Sequence, residues 1–500
     1  MTLRRFARPL SVALAGIIVA TMPAHAQSLP QQAPSDPWGP VPTGDASIVN
    51  VAPFLLPYFN NGSVFGLLGT DVGDFWSRTQ LSGDWGGVRT DLARRGFFFD
   101  LYSITAYQDV ASGGLKTGGA ILQNTQLSIN IDTGRAGLWS GGMFHITVES
   151  RYGSSPQDTF TVGSTVPQYT GLAMPGPFFA HNTLPTEYFL VQSLGPKFSI
   201  LLGKTNVINT CDETLFGNGY KDYFANLNFN KNPMALNFFN TLSLAALGTF
   251  TPASWIAIKG GVLDPNSQAD NLAGHAFDRV NIYAASIFSY RVGGLPGQSW
   301  AQFNWTNKPK IDLSSPFGRL PDEAIPQAVT VLVGGAATEV LLVNYKSDSW
   351  VTAENFSQYL FVKEDATAIA TKLESGQPLR GIGVFGRVGY APPATNRITR
   401  DASVALFARG LLDGRPRDSF GVGYYYNGIS QPLKDDIAQF TGGAANVKNE
   451  EGVEIFYDFA ITPAIKVIPG YQHIFNPLAA VVAENRRSAD VFLIRFSVTF

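Results

Sequence analysis

Cys211 is the only cysteine in the 500-residue chain, which excludes an internal disulfide framework and a cysteine-rich metal centre. Charge is scarce as well. Only 15% of residues are Asp, Glu, Lys or Arg, and the formal balance is −2, where an ordinary soluble domain carries roughly 25% charged residues. The basic stripe that nucleic-acid binding demands is missing. Beyond residue 26 there is no clean apolar stretch of the roughly 18 residues a spanning helix needs. The nearest, from Ala324 to Val343, is interrupted by Pro326, Gln327, Gly334, Gly335 and Glu339, and reads as two strands joined at the glycines. H-E-x-x-H and G-x-S-x-G patterns are absent, and the five histidines are scattered. No catalytic residue, metal or cofactor is therefore expected.

What is present begins with an export segment. Arg4, Arg5 and Arg8 precede an apolar run from Leu10 to Met22, and Ala24-His25-Ala26 follows. A basic region, an apolar region and a small-x-small site make residues 1–26 a signal peptide. Residues 27–80 open with Leu29-Pro-Gln-Gln-Ala-Pro-Ser-Asp-Pro, a composition unable to bury enough apolar surface to fold alone. They are expected to form a Pro-rich periplasmic segment ahead of a body spanning 81–500. Glycine is abundant at 51 residues and aromatics reach 12%, yet mean hydropathy is only +0.04. A chain so poor in charge and yet not hydrophobic on average alternates apolar with uncharged polar residues, as a transmembrane barrel does.

That alternation is explicit from about residue 96. Leu127, Ile129 and Ile131 alternate with Gln126, Ser128, Asn130 and Asp132; Phe144, Ile146 and Val148 with His145, Thr147, Glu149 and Arg151. Ala301, Phe303 and Trp305 alternate with Gln302, Asn304 and Thr306, and Phe420, Val422, Tyr424 and Tyr426 with Gly421 and Gly423. Successive side chains of a strand point to opposite faces, so each segment has one apolar face and one polar face. A soluble β-sandwich shares this pattern. Export, aromatics near strand ends and a strand-rich body without a domain break favour an all-β, transmembrane antiparallel barrel instead. The last strand sets Phe492, Ile494, Phe496, Val498 and Phe500 against Arg495, Ser497 and Thr499. A free apolar edge at a chain end invites aggregation, whereas in a barrel it closes on the first strand.

Gly381-Ile-Gly-Val-Phe-Gly386 has the G-x-G-x-x-G spacing of a dinucleotide loop. That site requires a helix to start there, and the segment instead alternates and runs into Pro392-Pro393. The polar faces supply candidate pore-lining, substrate-binding residues: Asp132, His145, Glu149, Arg151, Arg387, Arg409, Glu454, Asp458 and Arg495. Opposed guanidinium and carboxylate groups in a narrow lumen hydrogen-bond hydroxyl-rich solutes, and their mixed sign selects little by net charge. Tyr102, Tyr107 and Trp139 are placed where an aromatic ring can stack on a pyranose.

Leu81-Ser-Gly-Asp-Trp-Gly-Gly-Val-Arg-Thr-Asp-Leu-Ala-Arg-Arg-Gly96 resembles the opening motif of the carbohydrate-selective porin (OprB) family. So do Gly410 to Tyr424, Glu454 to Pro463 and Pro469 to Pro477, followed by the closing aromatic strand. The resemblance spans residues 81–500. It implies about 16 strands after a short irregular or helical N-terminal segment, with passive diffusion of mono- and oligosaccharides. Asp84, Trp85 and Arg89 are expected to be framework. The expected surroundings are outer-membrane lipids and, through the C-terminal strand, the barrel-assembly machinery; monomer and trimer both remain open. A general diffusion porin, an outer-membrane enzyme and a cell-wall-binding protein are the alternatives.

Overall fold

The computed structural model describes residues 73–153, 162–167, 182–195, 197–207, 211–212, 214–216, 222–235, 242–267, 276–314, 344–374 and 378–500. The expected signal peptide, the segment 27–72 and the interrupted apolar run 324–343 lie outside the described residues.

The strands are β1 (Phe97–Gly113), β2 (Gly118–Asp132), β3 (Gly142–Gly153), β4 (Asn182–Ser193), β5 (Phe198–Asn206), β6 (Leu242–Ala253), β7 (Ile256–Leu263), β8 (Asn281–Val292) and β9 (Leu295–Thr306). A small pair follows, β10 (Lys310–Ile311) with β11 (Tyr345–Lys346). Then come β12 (Ser349–Val362), β13 (Gly381–Tyr390), β14 (Ile398–Arg409), β15 (Ser419–Ile429), β16 (Glu450–Ala460), β17 (Ile465–Phe475) and β18 (Ser488–Thr499). All but β10 and β11 join in one closed barrel of sixteen antiparallel strands, in which each pairs with its sequence neighbours and β1 pairs with β18. Closure leaves no free edge. Among the described residues no helix is long and apolar enough to cross a membrane.

The period-two reading holds along the wall. Ile146, Phe303, Val422, Tyr424, Ile494 and Phe496 are exposed on the outer face, whereas His145, Gln302, Asn304 and Arg495 are buried inside. Gly381–Tyr390 is strand β13 and opens no helix. Outward aromatics gather near the two rims. Trp350 lies 5.7 Å from Tyr390 at one, and Trp255 lies 6.4 Å from Phe288 at the other.

The connections differ between the two ends. Tight turns join β4 to β5, β6 to β7, β8 to β9 and β16 to β17, at the end where β1 begins and β18 finishes. One connection at that end is longer and holds a helix, α3 (Ala366–Glu374). Glu364 clamps it, accepting from Lys372 Nζ at 2.7 Å and from Arg380 Nε at 2.9 Å. The opposite end carries the long connections, two of which hold α4 (Gln431–Phe440) and α5 (Leu478–Glu484).

The opening motif closes the seam. Gly86 and Gly87 take positive φ values of 69° and 98°, a conformation that costs a side chain-bearing residue but not glycine, and they turn the chain into α1 (Val88–Arg94). Asp84 Oδ1 accepts from the Thr90 amide at 2.8 Å and its hydroxyl at 2.7 Å. Arg89, buried, donates to the carbonyls of Phe99 at 2.7 Å and Phe500 at 3.3 Å. The Leu81 amide reaches Thr499 O, and the Phe500 amide reaches Leu101 O at 2.7 Å. Asp84 and Arg89 thus have the framework role expected of them.

Candidate functional site in the barrel interior

The chain between β5 and β6 does not stay at the rim. Its described residues, 211–212, 214–216 and 222–235, which include the single-turn helix α2 (Leu227–Asn230), pack inside chiefly against β12 to β18, while Cys211 also meets Tyr283 of β8 and Ala225 clusters with Tyr102 and Ile104 of β1. Five of the nine residues singled out from the sequence lie on that wall, and all five converge on this segment. Arg387, fully buried, donates from Nη1 to Phe229 O at 2.6 Å, from Nη2 to Asn230 O at 2.9 Å, and from Nε to Asp212 Oδ2 at 3.3 Å. Glu454 accepts the Ala225 and Asn226 amides at 2.6 and 2.8 Å. Arg409 donates to the Tyr223 hydroxyl at 2.9 Å, and Arg495 to the Tyr223 carbonyl. Lys466 bridges Asp458, at 3.2 Å, to Asp222 of the inserted segment, at 2.9 Å.

These groups are inward-facing, as alternation requires, and they satisfy the backbone of a loop that carries few backbone ladder bonds of its own. Buried main-chain N–H and C=O groups need partners, and charge-assisted bonds are the strong ones available. Asp212 is the centre of this lattice, since it also accepts from Asn355 Nδ2 and from the Asn232 amide, both at 2.5 Å. Asn232 in turn donates to Asp401 at 2.8 Å.

Part of this wall is aromatic instead of polar. Phe385, Phe407, Tyr425 and Phe456 point inward and form a buried cluster with Phe216, Phe224 and Phe229 of the loop and Ile369 of α3. Phe224 lies 4.8 Å from Phe456 and Phe216 lies 4.5 Å from Tyr359, both edge to face. Because the loop fills this part of the barrel, no water needs to be faced there, and apolar burial replaces a polar lining.

The other four residues lie elsewhere. His145, Glu149 and Arg151 share the inner face of β3. His145 is stacked on Phe189 at 4.6 Å and its nitrogens meet Asn130 at 2.7 Å and Thr147 at 2.8 Å. Glu149 accepts Asn124 Nδ2 at 2.5 Å and Gln126 Nε2 at 2.8 Å. Asp132 sits at the β2–β3 turn, where it accepts the Gly134 and Arg135 amides at 3.0 and 3.2 Å, so it is brought together with none of the other eight. Two of the three stacking aromatics are misplaced by the sequence reading. Tyr107 is exposed on the outer face, and Trp139 packs edge to face on the outward Phe144; only Tyr102 points inward. The parity of β1 and the turn geometry after β2 put them outside. Asp212, Asp222 and Tyr223 were missed, because nothing in a loop of irregular period announces which wall it will meet; Lys466 was missed too, although it stands on β17 with the inward parity of Ile468 and Gln472.

A closed sixteen-stranded antiparallel barrel with an apolar, aromatic-rimmed outer band and a loop folded into its interior defines a porin, a channel of the bacterial outer membrane. The sequence profile of the carbohydrate-selective porin, OprB family, matches residues 116–500. The chain belongs to that family, and so it is a sugar-selective outer-membrane channel. The opening motif at 81–96 precedes the matched region. Among solved structures, the high-pH form of Pseudomonas putida OprB is similar at a TM-score of 0.67 and 17% identity, covering 86% of this chain and 100% of that one. The low-pH form of the same protein gives 0.51 and 14%, covering 85% and 99%. At these identities the likeness concerns the fold. Among curated proteins, none matches the sequence.

Proposed function

We propose that the protein passes mono- and short oligosaccharides by passive diffusion, through the space between the inserted β5–β6 loop and the opposite wall, and that it carries out no chemical conversion. The observation that supports this most directly is the loop itself, bound by Arg387, Arg409, Glu454, Asp458, Lys466 and Arg495 to one side of the lumen. On this reading those side chains fix the constriction. The amide, carboxylate and guanidinium groups of Asn124, Gln126, Glu149 and Arg151 on β2 and β3 are the ones offered to sugar hydroxyls. The signal segment 1–26 directs export, 27–80 remains in the periplasm, and the terminal aromatic strand is read by the barrel-assembly machinery before the outer band meets lipid.

Single-channel conductance in a planar bilayer, titrated with glucose, tests this. Partial, saturable block by glucose is expected. An open pore indifferent to sugar would instead establish a general diffusion porin, and the absence of any pore would overturn both.

A further inference from the structure

Of the inward glycines on the wall beneath the loop, three meet a phenylalanine of the inserted segment: Gly383 on β13, and Gly421 and Gly423 on β15. Each faces one phenylalanine of the inserted segment. A Cβ at Gly383 would run into the Phe216 ring, one at Gly421 would stand 2.6 Å from Phe224 Cζ and as close to Phe456 Cε1 of β16, and one at Gly423 would stand 2.5 Å from Phe229 Cε1. Real carbon atoms do not approach so closely, and dense packing leaves little room to yield. None of the three glycines has the positive φ that would require glycine for backbone reasons. Strand interiors also disfavour glycine, which gives up packing and costs entropy there. Their use at three positions facing three rings is therefore explained by the rings.

We infer that Gly383, Gly421 and Gly423 are sockets that set how deeply the β5–β6 loop sits, and so are determinants of the solute size the channel admits. This rests on the loop being the constriction. The charged lattice around Arg387 and Glu454 fixes the loop's lateral position and backbone, while the sockets fix its distance from the wall. A side chain in a socket moves the rings away from β13 and β15, and the passage on the opposite side changes with them. The G-x-G-x-x-G spacing at 381–386 thereby has a role unrelated to nucleotides: its second glycine seats Phe216.

The lone cysteine serves as a position probe, since Cys211 is buried at the start of the described loop segment. Gly383→Leu and Gly421→Val would be compared with the wild type as folded, heat-modifiable barrels. Three quantities would be read: labelling of Cys211 by a membrane-impermeant maleimide, single-channel conductance, and the ratio of glucose to sucrose uptake in liposome swelling. The expected result is at least a several-fold rise in labelling rate, a changed conductance and a shifted uptake ratio. Phe216→Ala added to Gly383→Leu, but not to Gly421→Val, should restore the wild-type values. Unchanged labelling and conductance in folded variants would overturn the sockets, as would failure of the paired rescue. Faster labelling with conductance and uptake unchanged would leave the loop seated as described but overturn its reading as the constriction, and with it the assignment of solute size to these glycines.

Discussion

Arg89 is buried among carbonyl oxygens, donating to Phe99 O and to Phe500 O across the barrel seam. A hydrogen bond from a charged donor contributes about 1.5–3 kcal/mol, and leaving buried acceptors unpaired costs a similar amount. Arg89→Ala is therefore expected to lower stability by about 2–3 kcal/mol, read as a lower midpoint for guanidinium unfolding in micelles. Glu364 makes a pH-dependent counterpart. Burial raises its pKa, but hydrogen bonds from Lys372 and Arg380 outweigh that and hold the carboxyl below its usual value. A depressed carboxylate contributes its stability above the unfolded pKa, roughly 4.3, and loses it as the pH falls through the folded one. Hydrogen exchange across 366–374, corrected for intrinsic pH dependence, should thus accelerate below about pH 4. In Glu364→Gln it should be fast at neutral pH already, with that acid step gone.

The inserted loop shows how an element is held when it has no ladder of its own. Arg387 and Asp212 form an enclosed ion pair, and such a pair is weak evidence of net stability, yet breaking it by removing one partner is costly, about 3–5 kcal/mol. Arg387→Met should leave the strands paired and release the loop, seen as a higher, noisier single-channel conductance with weaker glucose block. Glu454→Leu removes the acceptor for two loop amides and should do the same. If either variant conducted like the wild type, the loop's anchorage would lie elsewhere. The sequence made the strands legible because the wall has a strict period of two. Those residues fit inward positions whatever the loop does, so Arg387, Arg409, Glu454, Asp458 and Arg495 were found by parity alone. Their partners Asp212, Asp222 and Tyr223 were not, since a loop side chain's orientation is set by contacts distant in sequence.

At the scale of the whole molecule, closure is the decisive event. β18 pairs with β1 over most of its length, and Phe500 adds one more rung through Leu101 while receiving Arg89. Deleting Phe500 takes away that rung and the Arg89 acceptor together, so the fraction of protein reaching the heat-modifiable folded form should fall sharply, with aggregation rising in proportion. The sequence by itself determined the barrel: alternation and a terminal aromatic strand are local properties, each readable within a few residues. It also delivered the inner or outer side of the residues in the alternating segments, because parity is counted along one strand. Only the tertiary structure decided which loop enters the lumen, that an aromatic cluster stands on the inner wall beneath it, and that the glycines of β13 and β15 face phenylalanines. Those facts depend on steric fit between segments far apart in the chain, and no period along the sequence encodes it.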